Sequence, residues 1–292
     1  MTRAALSQIP VVMFGAGSQP AEEDWNYLPL PREVDTFHAP LPEQVGKAGI
    51  PEVLPLLRAM IEALQADPAP HPARVFDVAG LSAPAQALLA QSMGEGEVSA
   101  QISLPDGGAA QIQESVYTGI WRVLEFDAAG ALRADRIEIG DIAPIVVQQA
   151  MAAGATHIAL PSAQGQNLMN APAIANEIAS AHAAAMENDG ASNHAINFSL
   201  LPVTPEDLAW LEKIVGGGPV GIFSRGYGKC VVTSTGLRHV WRVRYFDGMN
   251  KIMLDMLEIT RVPEVVLASR EDLVNARAHL QELLEWLESG NV

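Results

Sequence analysis

The clearest pattern of apolar and polar positions lies between residues 204 and 259. Leu208, Leu211 and Val215 recur at helical spacing, which puts them on one face of a helix. Thr204 is placed to cap that helix, Pro205 suits its first position, and Glu206 and Asp207 lie where the helix dipole favours acids. Gly216-Gly217-Gly218-Pro219 ends it. Four extended runs follow, at 220–223, 229–235, 238–246 and 251–259. In the third, Trp241, Val243 and Tyr245 share one face, and Arg242 and Arg244 point the other way. Asp247-Gly248 predicts a hairpin turn into the fourth run. Further helices are predicted at 51–66, 171–188 and 270–288. Ser269 can cap the last, and Leu273, Ala276, Leu280, Leu284 and Leu287 line one side of it.

The same pattern occurs earlier in the chain. Ile120-Trp121-Arg122-Val123-Leu124-Glu125-Phe126-Asp127 resembles Val240-Trp241-Arg242-Val243-Arg244-Tyr245-Phe246-Asp247, at an offset of 241 − 121 = 120. Ile137-Glu138-Ile139 matches Leu257-Glu258-Ile259 at the same offset. Small drifts upstream are what loop insertions leave behind, and a duplication covers roughly 70–148 and 192–268. The fold class is therefore α+β, with two tandem related helix-plus-antiparallel-sheet units and an extended N-terminal segment. The divisions read as 1–50 for the Pro- and Gly-rich segment, 51–150 for the first unit, and 151–292 for the second unit with the C-terminal helix. Trp121 and Trp241 occupy equivalent places, which suits a shared core position, with contact to a partner as the alternative.

Composition narrows the function. Apolar residues make up 49% of the 292, enough for a substantial core. The 34 Asp and Glu against 18 Lys and Arg give a formal charge of −16, which repels nucleic acid and anionic lipid. A basic protein segment is a more natural partner. The apolar stretch at 142–160 is broken by Gln148, Gln149 and His157, so it predicts no membrane span. The N-terminus lacks the apolar core of a signal peptide, and a cytoplasmic protein is the default. With one cysteine, Cys230, the chain can form no internal disulfide and no cysteine-ligated cluster.

Few motifs suggest chemistry. Gly15-Ala16-Gly17-Ser18-Gln19-Pro20 has the look of a dinucleotide loop, but Pro20, Pro29 and Pro31 preclude the helix such a loop must open. The seven histidines form no i,i+4 pair, and no G-x-S-x-G elbow is present. Cys230 reads as a strand cysteine without an activating neighbour. The densest functional string is Ser224-Arg225-Gly226-Tyr227-Gly228-Lys229-Cys230. Its glycines permit close backbone approach, and Arg225 and Tyr227 are residue types favoured at protein interfaces. A plain hairpin tip is the competing reading. The first copy has Ser103-Leu104-Pro105-Asp106-Gly107-Gly108 there, an ordinary turn.

Ser224-Arg225-Gly226-Tyr227-Gly228-x-Cys230, then Thr233-Ser234-Thr235 and Val240-Trp241-Arg242-Val243-x-Tyr245-Phe246, resembles the C-terminal region of the HupH/HyaF hydrogenase expression/formation family. Gly15-x-Gly17-Ser18-Gln19-Pro20, leading into Tyr27-Leu28-x-Leu30-Pro31 and Leu41-Pro42-Glu43, is similar to that family's opening, with Ala16 as a departure. The resemblance implies a role in maturing nickel–iron (NiFe) uptake hydrogenases. The partner it implies is the iron–sulfur small-subunit precursor, with its twin-arginine export signal, and other hydrogenase accessory proteins are further partners. It carries over no catalytic residue, and the residues themselves offer no positive case for a metal or a cofactor. The expected protein-binding residues are Ser224, Arg225, Gly226, Tyr227 and Gly228, with Trp121 and Trp241. The rival reading is a thiol- or hydroxyl-dependent enzyme acting in the same maturation.

Overall fold

The computed structural model describes residues 47–65, 74–161, 168–226 and 228–289. The expected extended segment lies outside these residues up to position 46, and so does the glycine motif at 15–20. In chain order the elements are α1 (Ile50–Gln65), β1 (Arg74–Asp77), α2 (Ala83–Met93), β2 (Val98–Ser103), β3 (Ala109–Glu114), β4 (Ile120–Phe126), β5 (Leu132–Ile139), α3 (Pro144–Ala153), α4 (Ala171–Glu187), β6 (His194–Asn197), α5 (Pro205–Val215), β7 (Gly217–Ser224), β8 (Lys229–Thr235), β9 (Val240–Phe246), β10 (Ile252–Ile259) and α6 (Arg270–Glu288). The chain is α+β, as the sequence pattern predicts.

Two compact units divide the described residues. The first holds 47–148 with 224–226 and 265–289, and the second holds the rest. Strand order is β1-β5-β4-β3-β2 in the first and β7-β8-β9-β10-β6 in the second. The offset of 120 governs the register of both. Trp121 pairs with Glu138, and Trp241 with Glu258. A bulge interrupts each of these ladders near its hairpin, between Glu125 and Phe126 and between Ile252 and Leu254. Asp127 Oδ1 accepts the N–H groups of Ala129 and Ala131, as Asp247 Oδ1 accepts those of Met249 and Lys251. The left-handed residue of the turn is Gly130 in one copy and Asn250, at φ 61°, in the other. Gly248 is therefore not the residue that permits the second turn. Asn replaces Gly there because its short polar side chain tolerates that conformation.

The repeat extends further than sequence similarity. Arg74 in β1 pairs with Ile139, and His194 in β6 with Ile259, again 120 apart. Arg122 grips Asp135 with two hydrogen bonds, and Arg242 grips Asp255 in the same way. The second pair is the more enclosed. The Arg242 side chain is 8% exposed against 40% for Arg122, and its guanidinium lies 4.5 Å from the centre of the Phe198 ring. Both faces of β9 are thus covered, the tryptophan face and the arginine face alike.

Each unit has its own helical layer. In the first, Val53, Leu57 and Met60 of α1 and Leu88 and Leu89 of α2 pack with Ile120, Ile137 and Ile139. In the second, Ile174 and Ile178 of α4 and Leu208 and Leu211 of α5 pack with Val240, Leu257 and Ile259. Thr204 and Ser269 both close capping boxes, at the starts of α5 and α6. One assignment from sequence is corrected. The C-terminal helix was grouped with the second unit, but Leu280, Leu284 and Leu287 of α6 enter the core of the first. Arg58 of α1 pairs with Glu288, and Ala268 donates its N–H to Asp141 O at 2.8 Å. Gly119, at φ 84°, has no side chain to obstruct Leu273. Periodicity shows that a helix has an apolar face but not which sheet that face will cover.

Candidate functional site

The residues expected to bind a partner fall into two environments. Ser224 ends β7 and is buried. Arg225 and Gly226 follow it and are exposed. Arg225 donates its backbone N–H to Glu97 O at 3.2 Å, which anchors the main chain. Gly226 lies directly against the exposed Glu97 carboxylate, which would have to shift to admit a side chain there. Gly228, at φ 98°, supplies a left-handed bend that L side chains rarely adopt. Tyr227 lies outside the described residues.

The two tryptophans differ from this loop. Each is 1% exposed. Trp121 Nε1–H donates to Gly140 O at 3.0 Å, and Trp241 Nε1–H to Arg261 O at 3.2 Å. Their indoles are satisfied and enclosed, so they offer a partner no surface. Their place is in the scaffold, which corrects the expectation that they belong to the contact set.

Cys230 sits inside β8, 2% exposed. Burial pushes its thiol up to about 12, although a hydrogen bond from Tyr245 pulls the other way. A thiol in that state is protonated at neutral pH and does not act as a nucleophile. Cys230→Ser is expected to leave intact the hydrogenase maturation that the family resemblance implies, in complementation of a deletion strain. Loss of maturation with the protein folded would restore a thiol mechanism.

Sequence reading missed several buried polar groups. Burial raises the Glu114 carboxyl to about 7, against the pull of the Gly119 and Val98 amides. The second copy has Ser234 at that register, where its hydroxyl accepts the Val220 N–H. His182 and His239 are both buried, and burial lowers both pKa values. Each leaves one ring nitrogen without a partner among the described residues, Nε2 of His182 and Nδ1 of His239. Gly190, at φ 72°, lies so close to the second that a Cβ would be 2.5 Å from Nδ1. These histidines come from α4 and from the turn before β9, so no sequence spacing could have paired them. Among the described residues no group of three or more His, Cys, Asp or Glu is arranged to hold a metal ion. Among the same residues no helix is long and apolar enough to cross a membrane.

Comparison with known proteins fits this picture of a scaffold repeated twice. The family model for the HupH hydrogenase expression protein, C-terminal conserved region, matches residues 51–158 and again 168–287. The chain belongs to the HupH hydrogenase expression protein family. It is 39% identical over 282 residues to the hydrogenase expression/formation protein HupH of Rhodobacter capsulatus, covering 95% of this chain and 97% of that one. It is 33% identical to the hydrogenase-1 operon protein HyaF of Escherichia coli, covering 94% and 95%. A solved structure of the hydrogenase expression protein HupH from Thiobacillus denitrificans is 30% identical, covering 40% of this chain and 95% of that chain, with a TM-score of 0.36. The two matched segments each contain one copy of the Trp-Arg-Val strand.

Proposed function

We propose that this protein is a non-catalytic assembly chaperone of NiFe-hydrogenase maturation. In this reading it holds the iron–sulfur small-subunit precursor in the cytoplasm, before export and before pairing with the large subunit. The observation that carries it is the likeness, over nearly the whole chain, to proteins named for hydrogenase expression and formation. Two physical features support it. The formal charge of −16 suits a client with a basic export signal. The protonated, enclosed thiol of Cys230 weighs against the thiol-dependent form of the rival enzyme.

Arg225, Gly226, Tyr227 and Gly228 are the contact region in this proposal, and the buried Ser224 holds its start in the sheet. Arg225 contributes an exposed cation, and its guanidinium has no ion-pair partner among the described residues. The neighbouring glycines give an extended client access to the backbone. Arg225→Ala with Tyr227→Ala is expected to weaken binding of the purified precursor by about 1–3 kcal/mol, a usual interface loss. Titration calorimetry at rising salt also tests the charge argument, because exposed charges are screened. A folded double variant with unchanged affinity would move the site elsewhere.

A further inference from the structure

The two units share a register, so their surfaces can be compared position by position. At the end of each sheet that carries its hairpin turn, β4–β5 in one unit and β9–β10 in the other, the copies differ consistently. The first copy has Ala109 where β3 begins and Ala129 and Ala131 in the turn. Its bulge residue Arg133 is paired with Asp106 of the β2–β3 turn. The second copy has Lys229, Met249, Lys251 and Met253 at these four places. The equivalence is structural, not merely numerical. Ala109 pairs with Phe126, and Lys229 with Phe246. The two turns also make the same hydrogen bonds to Asp127 and Asp247.

This exchange places two methionines in solvent. Met249 is 85% exposed and Met253 66% exposed. Methionine is flexible and polarisable, and it recurs on surfaces that accept varied apolar segments. Two lysines accompany them, of only four in the chain. Lys229 Nζ donates to Asn250 Oδ1 at 2.8 Å, a neutral partner that leaves its charge uncompensated. Neither lysine has an ion-pair partner among the described residues. The acid in the turn, Asp247, has its counterpart in Asp127, and in the first copy Arg133 is neutralised by Asp106, so once that pair is counted the second copy gains two positive charges and two exposed apolar side chains. Packing does not account for it, because the first copy builds the same turn with alanines.

We propose that this end of the second sheet is a docking surface for a client segment that carries apolar side chains beside carboxylates. The proposal rests on the client-holding reading. It assigns Lys229, Met249, Lys251 and Met253 to a part of the precursor other than its basic export signal. The lysines select the acidic segment from a chain whose overall charge would repel it, and the methionines take its apolar side chains.

The test removes the four side chains, with Lys229→Ala, Met249→Ala, Lys251→Ala and Met253→Ala in the full chain. All four positions are exposed, and circular dichroism and thermal melting check that the fold is kept. Affinity for purified small-subunit precursor lacking its export signal is then measured by titration. The expected result is a loss of about tenfold or more, the scale of one good interface contact. A control with Ala109→Ser, Ala129→Ser and Ala131→Ser leaves affinity unchanged. If the wild-type chain binds the precursor and the fourfold variant binds it equally well, the docking surface is overturned and the chaperone reading stands. If the wild-type chain binds neither this precursor nor the full-length one, both fall. If the variant changes the chain's own oligomeric state in light scattering while affinity holds, the occupant is a second copy, and the proposal fails.

Discussion

Trp121→Ala and Trp241→Ala are each expected to cost about 3–5 kcal/mol, the usual loss when a buried aromatic side chain is truncated. Both indoles are 1% exposed, and both Nε1–H groups are bonded to a main-chain carbonyl. Truncation leaves a buried cavity and an orphaned carbonyl, at Gly140 in one unit and Arg261 in the other. Because the two sites share strand register and each indole bonds one main-chain carbonyl, the two losses should be similar. Urea unfolding followed by fluorescence of the remaining tryptophans would measure them. A loss below about 1 kcal/mol in either variant would mean that the indole is not part of the core.

Asp207→Ala is the second large effect. Asp207 is completely buried, and its carboxylate accepts four backbone N–H groups. Oδ1 takes those of Met169 at 2.9 Å and Ala171 at 3.1 Å, and Oδ2 takes those of Asn170 at 3.3 Å and Thr204 at 3.1 Å. It therefore completes the capping box of α5 and also caps α4, whose own Asn170 makes no side-chain cap bond. Removing it strands the buried Ala171 N–H, at about 1–3 kcal/mol, and three part-buried donors at less each, so a total near 3–5 kcal/mol is expected. The sign with pH follows. Burial alone would raise this carboxyl, but the four amides overcome it and hold it below the ordinary range. A lowered folded pKa gives stability that is present above the unfolded value of about 3.9 and is lost as pH falls through the folded value. The variant should therefore show a shallower acid limb than the wild type. An identical slope from pH 5 to pH 2 in both proteins would contradict this assignment.

The sequence revealed what repeats as side chains and hid what repeats only as backbone. The Trp-Arg-Val and Phe-Asp strands announced the duplication because core packing preserved them. β1 and β6 went unread, since Arg74-Val75-Phe76-Asp77 and His194-Ala195-Ile196-Asn197 share no residue although they pair at the same register. Four-residue edge strands carry too little alternation to be recognised. Asp207 was legible as a favourable acid at a helix start, but its bonds to residues 169–171 were not, because they join segments 36–38 residues apart. The exposed methionines were overlooked for a different reason. In a strand of alternating apolar residues, Met253 looks like one more inward side chain. Only the bulge between Ile252 and Leu254 turns it outward.

The proposed role is to hold the hydrogenase small-subunit precursor without transforming it. The most direct measurement is to mix the purified chain with purified precursor, with and without the export signal, and follow the complex by size-exclusion chromatography with mass spectrometry of both partners. The account predicts a stable complex in which both polypeptides keep their original masses. It also predicts that removing the signal weakens the complex without abolishing it. A precursor that leaves the encounter cleaved or covalently changed, or that never co-elutes with the chain, would contradict it.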